Sequence, residues 1–156
     1  MNERHLFRAK EFSDDGTHAG WVQGHYTKKV ICTRDGAIKV VDIIEFICRV
    51  DGATYSLQHE IDPTTLSQCT GLQDKNGKLI FEEDIVFIDN HSTGDIATVE
   101  CRFVKEQMAW LYYTHDFPDC PDYIGKYTNM VDNWRTYEVI GNIHDNPELL
   151  EVQDEY

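Results

Sequence analysis

The residues of this sequence best equipped for chemistry are few. They are Cys120 with His115 or His144, the carboxylates Glu82, Glu83 and Asp84, and the loop set His115, Asp116, Asp119 and Cys120. A thiol paired with an imidazole is the minimum for cysteine nucleophilic catalysis. Cys120, however, lies between Asp119 and Pro121, and negative surroundings raise a thiol pKa rather than lower it. A zinc site needs four converging ligands, commonly announced by Cys or His pairs a few residues apart, and no second close pair accompanies the loop set. The carboxylate cluster suits acid–base work, yet charges before a strand are more often a solvated face, and Asp84 is placed to accept backbone N–H groups of a nearby turn. GxSxG, HExxH and glycine-rich phosphate loops do not occur. The sequence thus leads us to expect no catalytic residue, no cofactor and no metal.

Charge narrows the partners. Residues 1–67 carry eight Lys/Arg against ten Asp/Glu, and residues 68–156 carry six against eighteen. The acidic second half repels phosphate backbones, since nucleic-acid affinity comes largely from cations displacing counterions. Solubility accounts for such a surface, and steering toward a basic protein is the functional alternative. The aromatic run Trp110, Tyr112 and Tyr113 offers stacking surface without neighbouring cations, which favours a core or interface role over nucleic-acid binding. Phosphate contacts fall to Arg4, Arg8, Lys10, Lys28 and Lys29.

Five cysteines without a CxxC pair, no apolar opening segment and no apolar run of about 20 residues lead to the expectation of a cytoplasmic protein with reduced thiols and no membrane segment. Cys32 and Cys48 lie in apolar runs and are expected in the core.

These residues must be positioned by short strands. Gly20 to Tyr26 and Val30 to Cys32 read as two β runs, with the turn dipeptide Asp35-Gly36 after them. Residues 38–50 are the most apolar stretch. Their β-branched content favours strand, their broken alternation suggests a bulge or burial on both faces, and a helix over 41–48 has a compatible period. Asp51-Gly52 then turns the chain into a returning strand, making an N-terminal hairpin. Asp62-Pro63 begins a short helical turn and marks a boundary. Beyond it, strands at 68–72, 79–81, 85–89, 96–104, 109–114 and 137–143 are separated by turns, 116–134 is irregular, and Pro147 opens a short terminal helix. The pattern is mainly β, a β-rich α+β chain with a small barrel or sandwich in its second half.

The run 68–86, QCTGLQDKNGKLIFEEDIV, and the closing run 138–150, EVIGNIHDNPELL, closely resemble the signature of the YopX family of phage and prophage proteins. FRAK at 7–10, GWVQG at 20–24 and DPTT at 62–65 resemble that family's opening and middle. The resemblance implies an SH3-like barrel at 67–150 with a C-terminal helical turn, preceded by a β-rich subdomain at 1–66 and followed by a tail at 151–156. It implies no catalytic residues, because none is established for the family. Its signature positions Gly71, Asp74, Asn76, Gly77, Asp84, Gly141, Asn142, Asn146 and Pro147 have structural explanations: hairpin, close backbone approach and the exit into the last turn. Two positions depart from the family, which usually has glycine where this chain has Glu83 and an aromatic where it has Cys69. The functional reading is a non-enzymatic interaction module, engaging a host or phage protein in the bacterial cytoplasm or self-associating. Its rivals are a nucleic-acid-binding or nucleic-acid-mimicking regulator and an enzyme with an unrecognised site.

Overall fold

The computed structural model describes residues 5–90, 95–104, 109–113 and 137–150. The described residues are mainly β. The strands are β1 (Phe7–Phe12), β2 (His18–Cys32), β3 (Ile38–Val50), β4 (Ala53–Glu60), β5 (Ser67–Gln73), β6 (Leu79–Phe81), β7 (Asp84–Asn90), β8 (Asp95–Val104), β9 (Ala109–Tyr113) and β10 (Tyr137–Asn142). Single 3-10 turns occupy Pro63–Thr65 and Pro147–Leu150, so the terminal helix expected at Pro147 is one turn of the tighter kind. The chain divides into two units, Met1–Cys69 and Thr70–Tyr156, with the division inside β5.

In the first unit the strand order is β4-β3-β2-β1-β5, with antiparallel neighbours. The turns follow from local chemistry. The loops at Ser13 to Thr17 and Thr33 to Ala37 share one pattern: the first N–H donates to the fifth carbonyl, and the glycine N–H donates to the first carbonyl. That is a type I turn followed by a left-handed residue, and Gly16 and Gly36 take it at φ +81° and +84°. The β3–β4 connection is different. Asp51 and Gly52 both have positive φ, 51° and 81°, the mark of a two-residue type I′ hairpin.

The two β runs expected at 20–26 and 30–32 are one 15-residue strand, β2. It changes partner in its middle: residues up to Gly24 pair with β1, and residues from His25 onward pair with β3. A Cβ on Gly24 would sit 2.3 Å from the Glu45 carbonyl oxygen, so only glycine allows the two backbones to meet there. Residues 38–50 are strand throughout, and their register is unbroken on both sides, so neither the helix nor the bulge forms. The alternation breaks for another reason. Ile44 enters the core with Ala9 and Ile61, packed by Phe7, Val22, Tyr26 and Leu66, while Val41 and Ile43 are buried on the opposite face. β2 accompanies β3 only as far as Glu45, and β4 joins it only from Ile43. Either side of that overlap β3 has one neighbour, and two-stranded ribbons extend in opposite directions.

In the second unit the strand order β10-β7-β8-β9 is antiparallel. Ile80, Val86, Ile88, Cys101 and Tyr137 form its core, with Leu72 and Val139 packed against it. The β10–β7 register shifts between Val139 and Gly141, leaving Ile140 as a bulge. Among the described residues neither sheet closes into a barrel.

Candidate protein-interaction face

The signature residues form two structural clusters within the second unit. In the first, Asp74 opens the third loop of the pattern above, with its N–H on the Lys78 carbonyl and Gly77 at φ +82°. Its buried carboxylate accepts the N–H groups of Asn76 (2.8 Å) and Lys78 (2.9 Å) on Oδ1, and that of Val139 (3.1 Å) on Oδ2. Burial alone would raise this carboxyl's pKa, but the N–H groups of Lys78, Val139 and Asn76, helped by the Lys78 charge, together hold it below the ordinary value. The Lys75 N–H donates to the Tyr137 carbonyl (2.9 Å), and the Lys75 ammonium meets Glu138 at 2.6 Å. One loop is thereby tied to β10. Gly71 takes the left-handed conformation at φ +80°.

The second cluster joins the turn before β7 to the exit from β10. Asp84, fully buried, accepts the Phe81 N–H on Oδ2 (2.8 Å). Glu83 takes the left-handed conformation at φ +66° that a glycine would take without penalty. Its carbonyl accepts from Ile143 (3.1 Å) and its carboxylate meets His144 Nε2 at 2.8 Å. Asn142 Oδ1 accepts the N–H groups of His144 and Asp145, and its amide donates to Asp145. A Cβ on Gly141 would lie 2.6 Å from Asn146 Oδ1, and Pro147 starts the final turn. Every one of these contacts is turn or strand-end chemistry.

His144 is held by Glu83, while His115, Asp116, Asp119 and Cys120 lie outside the described residues, as does the irregular stretch 116–134. The aromatic run is strand β9, whose side chains also lie outside the description. Among the described residues, no three His, Cys, Asp or Glu side chains are placed to hold a metal ion, and no helix is long and apolar enough to cross a membrane. Arg4 is outside the description. Arg8 is buried with its guanidinium 4.9 Å from the Trp21 ring centroid, Lys10 stands over the same ring, and Lys28 is 3.6 Å from Asp42. Arg8 is therefore a packed residue and not a surface phosphate contact.

What the structure presents is an apolar face. In the β3–β4 ribbon, Phe46 is opposite Leu57, Cys48 opposite Tyr55 and Val50 opposite Ala53, and alternation puts all six on one face. Phe46, Leu57, Tyr55 and Val50 are each about half open, at 49%, 50%, 51% and 52%. In the β2–β3 ribbon the pairs Val30–Val40 and Cys32–Ile38 lie on the same side of β3, separated from the ladder by the buried Ile44 and the Lys28–Asp42 ion pair, with Ile38 at 77% exposure. The reverse face is mostly polar: Glu45 is hydrogen-bonded by Ser56 and Gln58, Lys39 pairs with Glu60, and Arg49 faces Thr54, with Ile47 the exposed exception. Cys32 and Cys48, expected in the core, sit on the open face, and the buried thiols are Cys69 and Cys101. Apolar sequence alone does not separate a covered strand from an uncovered one. The period-2 run of apolar residues at 38, 40, 44, 46, 48 and 50, repeated at 53, 55 and 57, was the available signal.

An exposed, contiguous apolar patch such as this ladder marks a contact surface. A two-stranded ribbon is also at best marginally stable in water without something packed on its apolar side.

The family model described as YopX protein matches residues 10–151. Among solved structures, protein EF1440 from Enterococcus faecalis is similar at 26% identity, over 93% of this chain and 96% of that one, with a TM-score of 0.47. No curated protein matches the chain.

Proposed function

The chain belongs to the YopX family, and from that premise we propose that it is a phage- or prophage-encoded, non-enzymatic protein-interaction module. The observation that carries the reading is the ladder Phe46/Leu57, Cys48/Tyr55, Val50/Ala53, uncharged and half open on a projecting ribbon. Its reduced thiols at Cys32, Cys48, Cys69 and Cys101 suit the reducing cytoplasm of a bacterial host. We read the second unit as an SH3-like barrel, supported by the antiparallel order β10-β7-β8-β9 and the 3-10 turn that follows β10. The roles of the signature residues in this reading are structural: they hold the second unit's turns.

The test is a comparison of Leu57→Lys, on the ladder, with Gln58→Lys, on the reverse face of the same strand. A partner held by the wild-type chain is lost with the first and kept with the second. Equal behaviour of the two variants contradicts the reading.

The uneven charge favours one further reading, nucleic-acid mimicry by the acidic residues 68–156. It predicts that a DNA-binding protein loses its DNA when this chain is added, with an affinity that weakens steeply as salt rises.

A further inference from the structure

We infer that the ladder's partner is a second copy of this chain, packed ladder to ladder about a two-fold axis. The inference rests on the interaction reading above and names the occupant of that face.

Area is the first argument. Aromatic side chains present about 150–250 Å² each, so six ladder residues, most of them half open, offer on the order of 500 Å² per copy. Two copies bury on the order of 1,000 Å², the lower end of what a specific interface needs. The dimer is therefore expected to be reversible rather than obligate.

Charge is the second argument. A basic protein or a phosphate surface would be recognised by charge, and the ladder has no formal charge on any of its six residues. A second copy normally meets like-charge repulsion from a chain of net charge -14. The residues that bear the ladder belong to the stretch 1–67, which carries nearly balanced charge, eight Lys/Arg against ten Asp/Glu, and the acidic surplus lies in 68–156. The apolar ladder of the first unit lets this chain meet a second copy of itself without bringing formal charges on the ladder residues into opposition.

Shape is the third argument. A two-fold interface is self-complementary: one patch meets the same patch. A ladder of cross-strand apolar pairs can meet a second copy of itself in this way, as two sheets stack about 10 Å apart with their strands inclined by the twist.

Light scattering coupled to size exclusion, over a dilution series, tests the inference. The wild-type chain is expected to move from twice 18.1 kDa toward 18.1 kDa on dilution. Leu57→Lys is expected to weaken the dimer by at least about tenfold, and Gln58→Lys to leave it unchanged. Circular dichroism establishes that each variant is folded. Should Leu57→Lys unfold, Tyr55→Thr decides the matter: it keeps strand propensity and removes ladder area, so an unchanged dimer overturns the inference. A wild-type chain of 18.1 kDa at every concentration also overturns it. If Leu57→Lys then still loses a host protein that Gln58→Lys retains, the interaction reading stands and only the identity of the partner falls. If the ladder variants match wild type in mass and in every binding partner, both fall.

Discussion

Replacing Asp74 with asparagine changes one atom and should disturb two elements. Asp74 Oδ1 takes the N–H groups of Asn76 and Lys78, and Oδ2 takes that of Val139, 65 residues along the chain. Asparagine has one acceptor oxygen and one donor nitrogen. If the oxygen stays on the loop, the amide nitrogen faces the Val139 N–H, donor against donor. A hydrogen bond to a charged group contributes about 1.5–3 kcal/mol, and a buried donor left without an acceptor costs about 1–3 kcal/mol. These overlap, so a loss of about 2–4 kcal/mol is expected, and a fall in Tm on the order of 10 °C. Urea unfolding gives the stability, and hydrogen exchange should speed up first at Val139 and Lys78. The pH dependence supplies a second reading. The Asp74 carboxyl is held below its ordinary value, so its folded pKa lies under its unfolded pKa of about 3.9. Its contribution is complete above that unfolded value and is lost as pH falls through the folded one. The asparagine variant should lack this part of the acid limb. A variant within about 0.5 kcal/mol of wild type, with an unchanged acid limb, would refute the reasoning.

Three further outcomes follow from the same geometry. Gly24→Ala should cost more than about 2 kcal/mol in urea unfolding, because the added Cβ meets backbone at 2.3 Å rather than a side chain that can turn away. Tyr26 donates to Asp42 at 2.5 Å, and this bond, with burial and the Asp42 charge, pushes its pKa up to about 12. One tyrosine should therefore be missing from the spectrophotometric titration near pH 10 and absent altogether in Tyr26→Phe. The raised value means its contribution is complete below the unfolded pKa and is lost as pH rises from about 10 toward about 12. Glu83→Ala should cost about 1–2 kcal/mol, since alanine keeps the left-handed strain and loses His144. Glu83→Gly should be nearly neutral, because relief of that strain offsets the lost contact. Thermal unfolding of both variants, with and without His144→Ala, separates the two terms.

Where the sequence was legible, short-range chemistry decided the structure. Asn76-Gly77, Asp35-Gly36 and Asp51-Gly52 each turn the chain because glycine takes positive φ at those positions. Asp62 caps its turn through Thr64 for a reason equally local. The long strand pairings were less legible. Whether Gly20 to Tyr26 and Val30 to Cys32 are one strand depends on β3 crossing at Gly24, a contact between residues 21 apart in sequence. β3 was ambiguous between strand and helix because its apolar residues serve three environments: Ile44 in the core, Val41 and Ile43 on the other face, and Phe46, Cys48 and Val50 in the open. Periodicity records that a side chain is apolar and not what lies against it, which is why Cys32 and Cys48 were expected inside. The signature motifs were the most visible part of the sequence, and within the two longest of them Asp74, Gly141 and Asn142 make turn and strand-end contacts. The candidate face carries no motif at all.

Covalent footprinting of the ladder tests the central claim most directly. In the monomeric state Phe46, Tyr55 and Leu57 are each about half open, so they should label readily. At high protein concentration, or with a bound partner, all three should become protected together, while the labelling of Arg49 and Lys39 on the reverse face stays constant. Unchanged labelling of the three under every condition would contradict the account.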